Sequence, residues 1–123
     1  MYSITGHYNY LKNHNNFMLI SSSQIEFINS ILLRYDPEKI ALFGSRKRGE
    51  ENINSDLDIL ISFKHDGKSP YSILELLDLE KKIGDQLGYR VEIVNEKSIK
   101  NEHLKSNILN DLLIIYPQMK NGF

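Results

Sequence analysis

Residues 42–63 read LFGSRKRGEENINSDLDILISF, and the fold turns on how that stretch divides. Ile40, Ala41, Leu42 and Phe43 form a run of mostly β-favouring residues without polar alternation, the pattern of a strand buried on both faces of a sheet. Gly44 stops it. A glycine followed by a serine at a strand-to-helix junction lets the backbone approach a ligand closely, and the N–H groups there, with the Ser45 hydroxyl, can donate to phosphate oxygens. Arg46, Lys47 and Arg48 bring positive charge to the same bend, which Gly49 ends. From Asp56 the chain alternates again, with Leu57, Ile59, Ile61 and Phe63 on one face and Asp56 and Asp58 together on the other. Two carboxylates that close repel unless a cation lies between them, so the pair suggests a divalent metal. Hard oxygen ligands favour Mg²⁺ or Mn²⁺ over zinc, and the chain has no cysteine to argue otherwise.

A third carboxylate comes from residues 90–95, RVEIVN, a strand-like segment with Val91 and Ile93 on one face and Glu92 on the other. If that strand lies beside the Asp56–Asp58 strand, Glu92 joins the acidic cluster. Three carboxylates facing a phosphate-cradling turn make a site for metal-assisted nucleotidyl transfer. Each residue alone has a plainer reading: Asp56 as a turn residue, Gly44 as a helix start, Ser45 as an N-cap, Arg48 as a solvated side chain, Glu92 as an exposed strand carboxylate. Their joint spacing carries the functional one.

Gly44-Ser45, ten intervening residues and then Asp56-Leu57-Asp58 resembles the signature of the DNA-polymerase-β-like nucleotidyltransferase superfamily. The short chain and its apolar-Tyr ending resemble the minimal nucleotidyltransferase branch, the antitoxin of HEPN/MNT toxin–antitoxin pairs. The resemblance spans about residues 23–116. It implies a palm-like α/β (α+β) fold, ATP as substrate, Mg²⁺ (or Mn²⁺) as cofactor, and transfer of AMP to a tyrosine hydroxyl of a partner HEPN toxin. It also implies Asp56, Asp58 and Glu92 as catalytic and metal-binding residues, and Gly44, Ser45, Arg46, Arg48 and Ser55 as nucleotide-binding residues. Two positions depart from the family pattern: Lys47 stands where many relatives have a small residue, and Glu92 where aspartate is commoner. Two other readings stay open, a binding module that neutralises a HEPN partner by contact alone and a transferase acting on a small molecule.

The rest of the chain reads as scaffold. At 123 residues it is long enough for one domain that buries about two thirds of its unfolded surface. A net charge of -1 gives no global case for nucleic-acid binding, and the absence of cysteine fits a reducing compartment. No apolar run is long enough to span a membrane and no secretory signal is visible, so a cytoplasmic protein is expected. Residues 1–20 read as an N-terminal extension, with 1–16 a loose or partner-stabilised arm, 21–117 as the transferase domain and 118–123 as a tail. A capping box at Ser23 and Glu26 predicts a helix over 23–35, broken before Pro37. Ser69 and Pro70 announce a second helix with the stripe Ile73, Leu76, Leu79, Ile83 and Leu87, stopped at Gly88. Leu104, Ile108 and Leu112 predict a third over 97–113, followed by a short apolar strand or tail. His7, His14, His65 and His103 have no ligand partners at metal spacing and read as exposed. The expected architecture is a small mixed sheet flanked by helices. Such a length leaves no room for an appended acceptor-binding domain, so the acceptor is expected to come from outside; homo-oligomerisation is left open.

Overall fold

A computed structural model describes residues 8–13, 16–43, 57–64, 66–109 and 112–117. It opens with a hairpin in which β1 (Tyr8–Asn13) and β2 (Asn16–Ser21) pair antiparallel, Tyr8 opposite Ser21 and Asn13 opposite Asn16. The expected loose arm is therefore corrected over residues 8–13 and 16, which lie in paired strands. Tyr8, Tyr10, Phe17 and Leu19 on either side of an Asn-rich centre are a hairpin pattern, two short β-favouring runs about a turn, which a search for longer periodicity passes over.

β2 runs directly into α1 (Ser22–Leu32), whose cap lies two residues before the expected one. The Ser21 hydroxyl accepts from the Gln24 N–H at 3.1 Å, and Gln24 Oε1 accepts from the Ser21 N–H at 2.9 Å. Three consecutive serines can each open a helix, and Gln24 selects the first by closing the reciprocal pair. A single 3₁₀ turn (Leu33–Tyr35) replaces the helix's expected last turn and ends at Asp36, in left-handed conformation with φ 53°. β3 (Pro37–Phe43) and β4 (Leu57–Phe63) follow.

α2 (Ile73–Leu87) is capped by Ser72, not Ser69: the Ser72 hydroxyl accepts from the Glu75 N–H, and Glu75 returns the bond to the Ser72 N–H. Pro70 thus belongs to the loop. β5 (Val91–Asn95) leads through a 3₁₀ turn (Glu96–Ser98) to α3 (Glu102–Leu109), shorter than the expected helix, and β6 (Leu113–Tyr116). The residues ahead of Pro117, which include the β-branched Ile114 and Ile115 and the aromatic Tyr116, pair with β3 instead of prolonging α3.

The main sheet has the order β5-β4-β3-β6, parallel between β4 and β5 and antiparallel elsewhere. This is the expected mixed sheet. Leu57, Ile59, Ile61 and Phe63 do share a face, packed with Ile40, Leu42 and Ile93 against Ile28 and Leu32 of α1 and Leu79, Ile83 and Leu87 of α2. The opposite face carries a second, smaller cluster of Ala41, Phe43 and Leu60, with Val94, Ile99 and Leu112 packed on it. β3 and β4 are therefore covered on both sides, as their unbroken apolar runs require. Asn29 Nδ2 donates to the Ile115 carbonyl at 3.0 Å and ties α1 to β6. Tyr71 meets both Tyr35 and Phe63 edge to face, with ring centroids 5.3 and 5.7 Å apart, and closes one end of the core. No helix among the described residues is long and apolar enough to cross a membrane.

The turn between α2 and β5 depends on two glycines. Gly88 caps α2 in left-handed conformation at φ 82°, as expected from its position. Gly84, one turn earlier, lets the returning chain pass close: a Cβ there would lie 2.7 Å from the Tyr89 carbonyl oxygen. Helix propensity alone favours alanine over glycine by about 1 kcal/mol. Gly84→Ala is nevertheless expected to lower stability, by roughly 1–3 kcal/mol, because backbone must shift to admit the methyl group. Urea denaturation reads the sign directly, and a stabilised variant would refute the steric account.

Candidate active site

The pairing of β3, β4 and β5 lines up Phe43, Asp58 and Glu92 in one cross-strand row. Residues in register on adjacent strands share a face and stand about 4.8 Å apart from strand to strand. The face is set by the next row, in which Ala41, Leu60 and Val94 are aligned and belong to the smaller cluster. Asp58 and Glu92 thus project from the face opposite the main core. Their surroundings differ. Asp58 lies on an inner strand and is only 2% exposed, whereas Glu92 lies on the edge strand β5 and is exposed.

Of the expected site residues, then, the structure brings Asp58 and Glu92 together. Gly44, Ser45, Arg46, Arg48, Ser55 and Asp56 lie outside the described residues, as does Lys47. The chain continues from Phe43 directly into Gly44 and reaches Leu57 directly from Asp56, so both ends of that segment join the sheet beside the acidic row. Among the described residues no group of three or more metal-ligating side chains is gathered; Asp58 and Glu92 are two. His103 is exposed on α3, and His7, His14 and His65 lie outside the described residues.

Sequence reasoning passed over Glu80. This α2 residue accepts the Ile93 N–H through Oε2 at 2.8 Å, one residue beyond Glu92. Burial pushes its carboxyl above the ordinary value; the Ile93 N–H works against that shift, and the Glu92 charge adds to it. Glu80 flanks the apolar stripe of α2, and nothing in a helical pattern tells such a residue from a solvated one.

A family model described as a nucleotidyltransferase domain matches residues 24–115. The chain belongs to the nucleotidyltransferase family. Two candidate protein adenylyltransferases of Methanocaldococcus jannaschii are 39% and 38% identical to it over 82 residues, in each case 67% of this chain and 80% of the relative. The protein adenylyltransferase MntA of Thermococcus cleftensis is 34% identical over 82 residues, 67% of this chain and 78% of its own length. The matched region includes Asp58, Glu92 and the strands that carry them, and this nucleotidyltransferase is an enzyme.

The far end of the nucleotidyltransferase sheet is organised differently. A cavity of about 240 Å³ there is lined by Glu38, Ser62, Asn95, Glu96, Lys97 and Lys105, among others. Glu96 is matched within the chain: its Oε1 receives the Ser62 hydroxyl at 2.7 Å and the Lys39 ammonium at 2.9 Å. Burial pushes the Glu96 carboxyl up, but the hydrogen bonds from Lys39 and Ser62 and the Lys39 charge outweigh it and hold the group below its ordinary 4.5. A carboxylate lowered in the folded state contributes stability above the unfolded value, lost as pH falls through the folded one. Glu96→Gln is expected to be less stable than the parent at pH 7, and the gap should narrow as pH drops below about 4.5. Urea midpoints measured from pH 7 to pH 3 check this, and a gap that widens in acid contradicts it.

Proposed function

We propose that this nucleotidyltransferase transfers AMP from ATP to a hydroxyl group, that of a tyrosine, on a partner protein, and that it acts in the cytoplasm as the antitoxin of a HEPN toxin. The observation that carries the reading is the row in which buried Asp58 stands in register with exposed Glu92. The protein adenylyltransferase names of the relatives support a protein acceptor.

Hard carboxylate donors on a fixed sheet fit a divalent cation, and the chain has no thiol to favour a softer one. Asp56, Asp58 and Glu92 would hold Mg²⁺, which when bound supplies positive charge against the triphosphate and its leaving group. Ser45 and the backbone of Gly44 hold the β- and γ-phosphates, with Arg46, Arg48 and Ser55 as further phosphate donors. The acceptor oxygen forms a bond to the α-phosphorus as the bond to the bridging oxygen of pyrophosphate breaks. Its proton passes to Glu92, whose exposure lets an acceptor reach it from solvent. Asp58, enclosed by its neighbours, keeps one place and one orientation throughout.

Losing a buried metal-holding carboxylate removes several kcal/mol of charge stabilisation, on the order of a thousandfold or more in rate. Asp58→Asn should therefore lose transfer of labelled AMP to the protein encoded beside it, in ATP and Mg²⁺, while its circular dichroism spectrum stays that of the parent. Undiminished labelling in the variant would remove Asp58 from the chemistry. A stable complex with the neighbour that never becomes labelled by the parent protein would favour the contact-only antitoxin, and labelling of small hydroxyl compounds alone the small-molecule transferase.

A further inference from the structure

We propose that Glu80 is a positioning residue for the active site: by holding the Ile93 amide it sets the placement of Glu92 beside Asp58. This role rests on the metal-dependent transferase reading above. β5 is the edge of the sheet, so hydrogen bonds from a neighbouring strand reach it only on the β4 side. The Arg90 carbonyl, two residues before Glu92, accepts the Leu57 N–H of β4 at 3.0 Å. Along a strand successive amides point alternately to the two sides, and the Ile93 N–H, three residues on, is taken by Glu80 and not by β4. Glu80 thus occupies the place a fifth strand would fill, at the residue directly after Glu92.

The consequence is mechanical. An exposed carboxylate on an edge strand moves with its backbone, and the distance between two metal-holding groups on neighbouring strands is set by how firmly the outer strand is held. The inner face of β5 is anchored by Ile93, only 5% exposed in the main core, which fixes the strand's depth. The Glu80 bond fixes its edge. Groups that orient metal-holding side chains without touching the ion commonly change metal affinity or activity by 10- to 100-fold when removed. The Glu80 carboxylate is partly buried and feels the like charge of Glu92, and the Ile93 N–H works against both.

Two conservative substitutions separate the bond from the charge. Glu80→Gln keeps an acceptor at the same reach and discards the charge; Glu80→Asp keeps the charge and falls one methylene short. Mn²⁺ binding to the full-length protein is measured by electron paramagnetic resonance without nucleotide or acceptor, with amide exchange at Ile93 followed by NMR. The expected result is that Glu80→Asp weakens Mn²⁺ binding by about 10-fold or more and speeds exchange at Ile93. Glu80→Gln should stay within about fivefold of the parent, since only a screened, longer-range charge is lost. Parent-like Mn²⁺ affinity in Glu80→Asp with fast exchange at Ile93 overturns the proposal, as does a larger loss in Glu80→Gln than in Glu80→Asp. If the parent protein itself binds no Mn²⁺ while its Ile93 amide is protected, the metal reading falls and this role with it.

Discussion

The parallel pairing of β4 with β5 is the constraint on which the rest of the molecule depends. It aligns Leu57, Ile59 and Ile61 with Val91, Ile93 and Asn95, and in the same register sets Asp58 beside Glu92. A slip of one residue would carry Ile93 out of the core and turn Glu92 into it, so burial of apolar side chains and assembly of the acidic row are decided by a single choice. A parallel pair needs a crossover, and α2 supplies one that buries Leu79, Ile83 and Leu87 against the same sheet face. The tight return at Gly84 and Gly88 then brings the chain to β5. Helix length, glycine placement and strand register are parts of one solution.

Such a sheet carries a cost at Asp58. Burying a carboxylate on an inner strand, beside Phe43 and two residues from Leu60, costs several kcal/mol against water before its compensating interactions are counted. The opposite end of the sheet shows how the chain treats a partly buried carboxylate with a structural duty: Glu96 is matched by Lys39 and Ser62. At the acidic row two carboxylate side chains, Asp58 and Glu92, share one register. On the proposed reading, an external cation would supply at the acidic row the positive charge that Lys39 supplies to Glu96.

Much of this was legible in the amino-acid order, for identifiable reasons. The unbroken apolar runs of β3 and β4, the period-two split of Asp58 from Leu57 and Ile59, and the stop at Gly88 are local patterns with one physical solution, and the structure has them. Cap positions were less legible because Ser21, Ser22 and Ser23 are chemically equivalent until a partner three residues on selects one, and because Ser69 and Ser72 compete in the same way. The hairpin of β1 and β2 was missed since its runs are short and its signal lies in the Asn-rich centre. Glu80 could not have been found: its hydrogen bond is made to a strand that arrives thirteen residues later. Glu92 was legible as a candidate, but its partnership required the order of strands, which no local pattern states.

Under the proposed function, the contrast between the two carboxylates bears on how so small a domain could act on something as large as another protein. Both groups enclosed would favour the metal and exclude the acceptor; both exposed would leave the cation in a high-dielectric setting where its pull on phosphate oxygens is weak. Under the proposed function, Asp58 within the sheet and Glu92 at its rim would meet both needs, one carboxylate being buried and the other exposed. The rim position carries its own difficulty, because an edge strand is the least restrained part of a sheet. On that reading the amide after Glu92 would matter more than its single hydrogen bond suggests, because access for an acceptor and rigidity for a metal make opposite demands on the same strand.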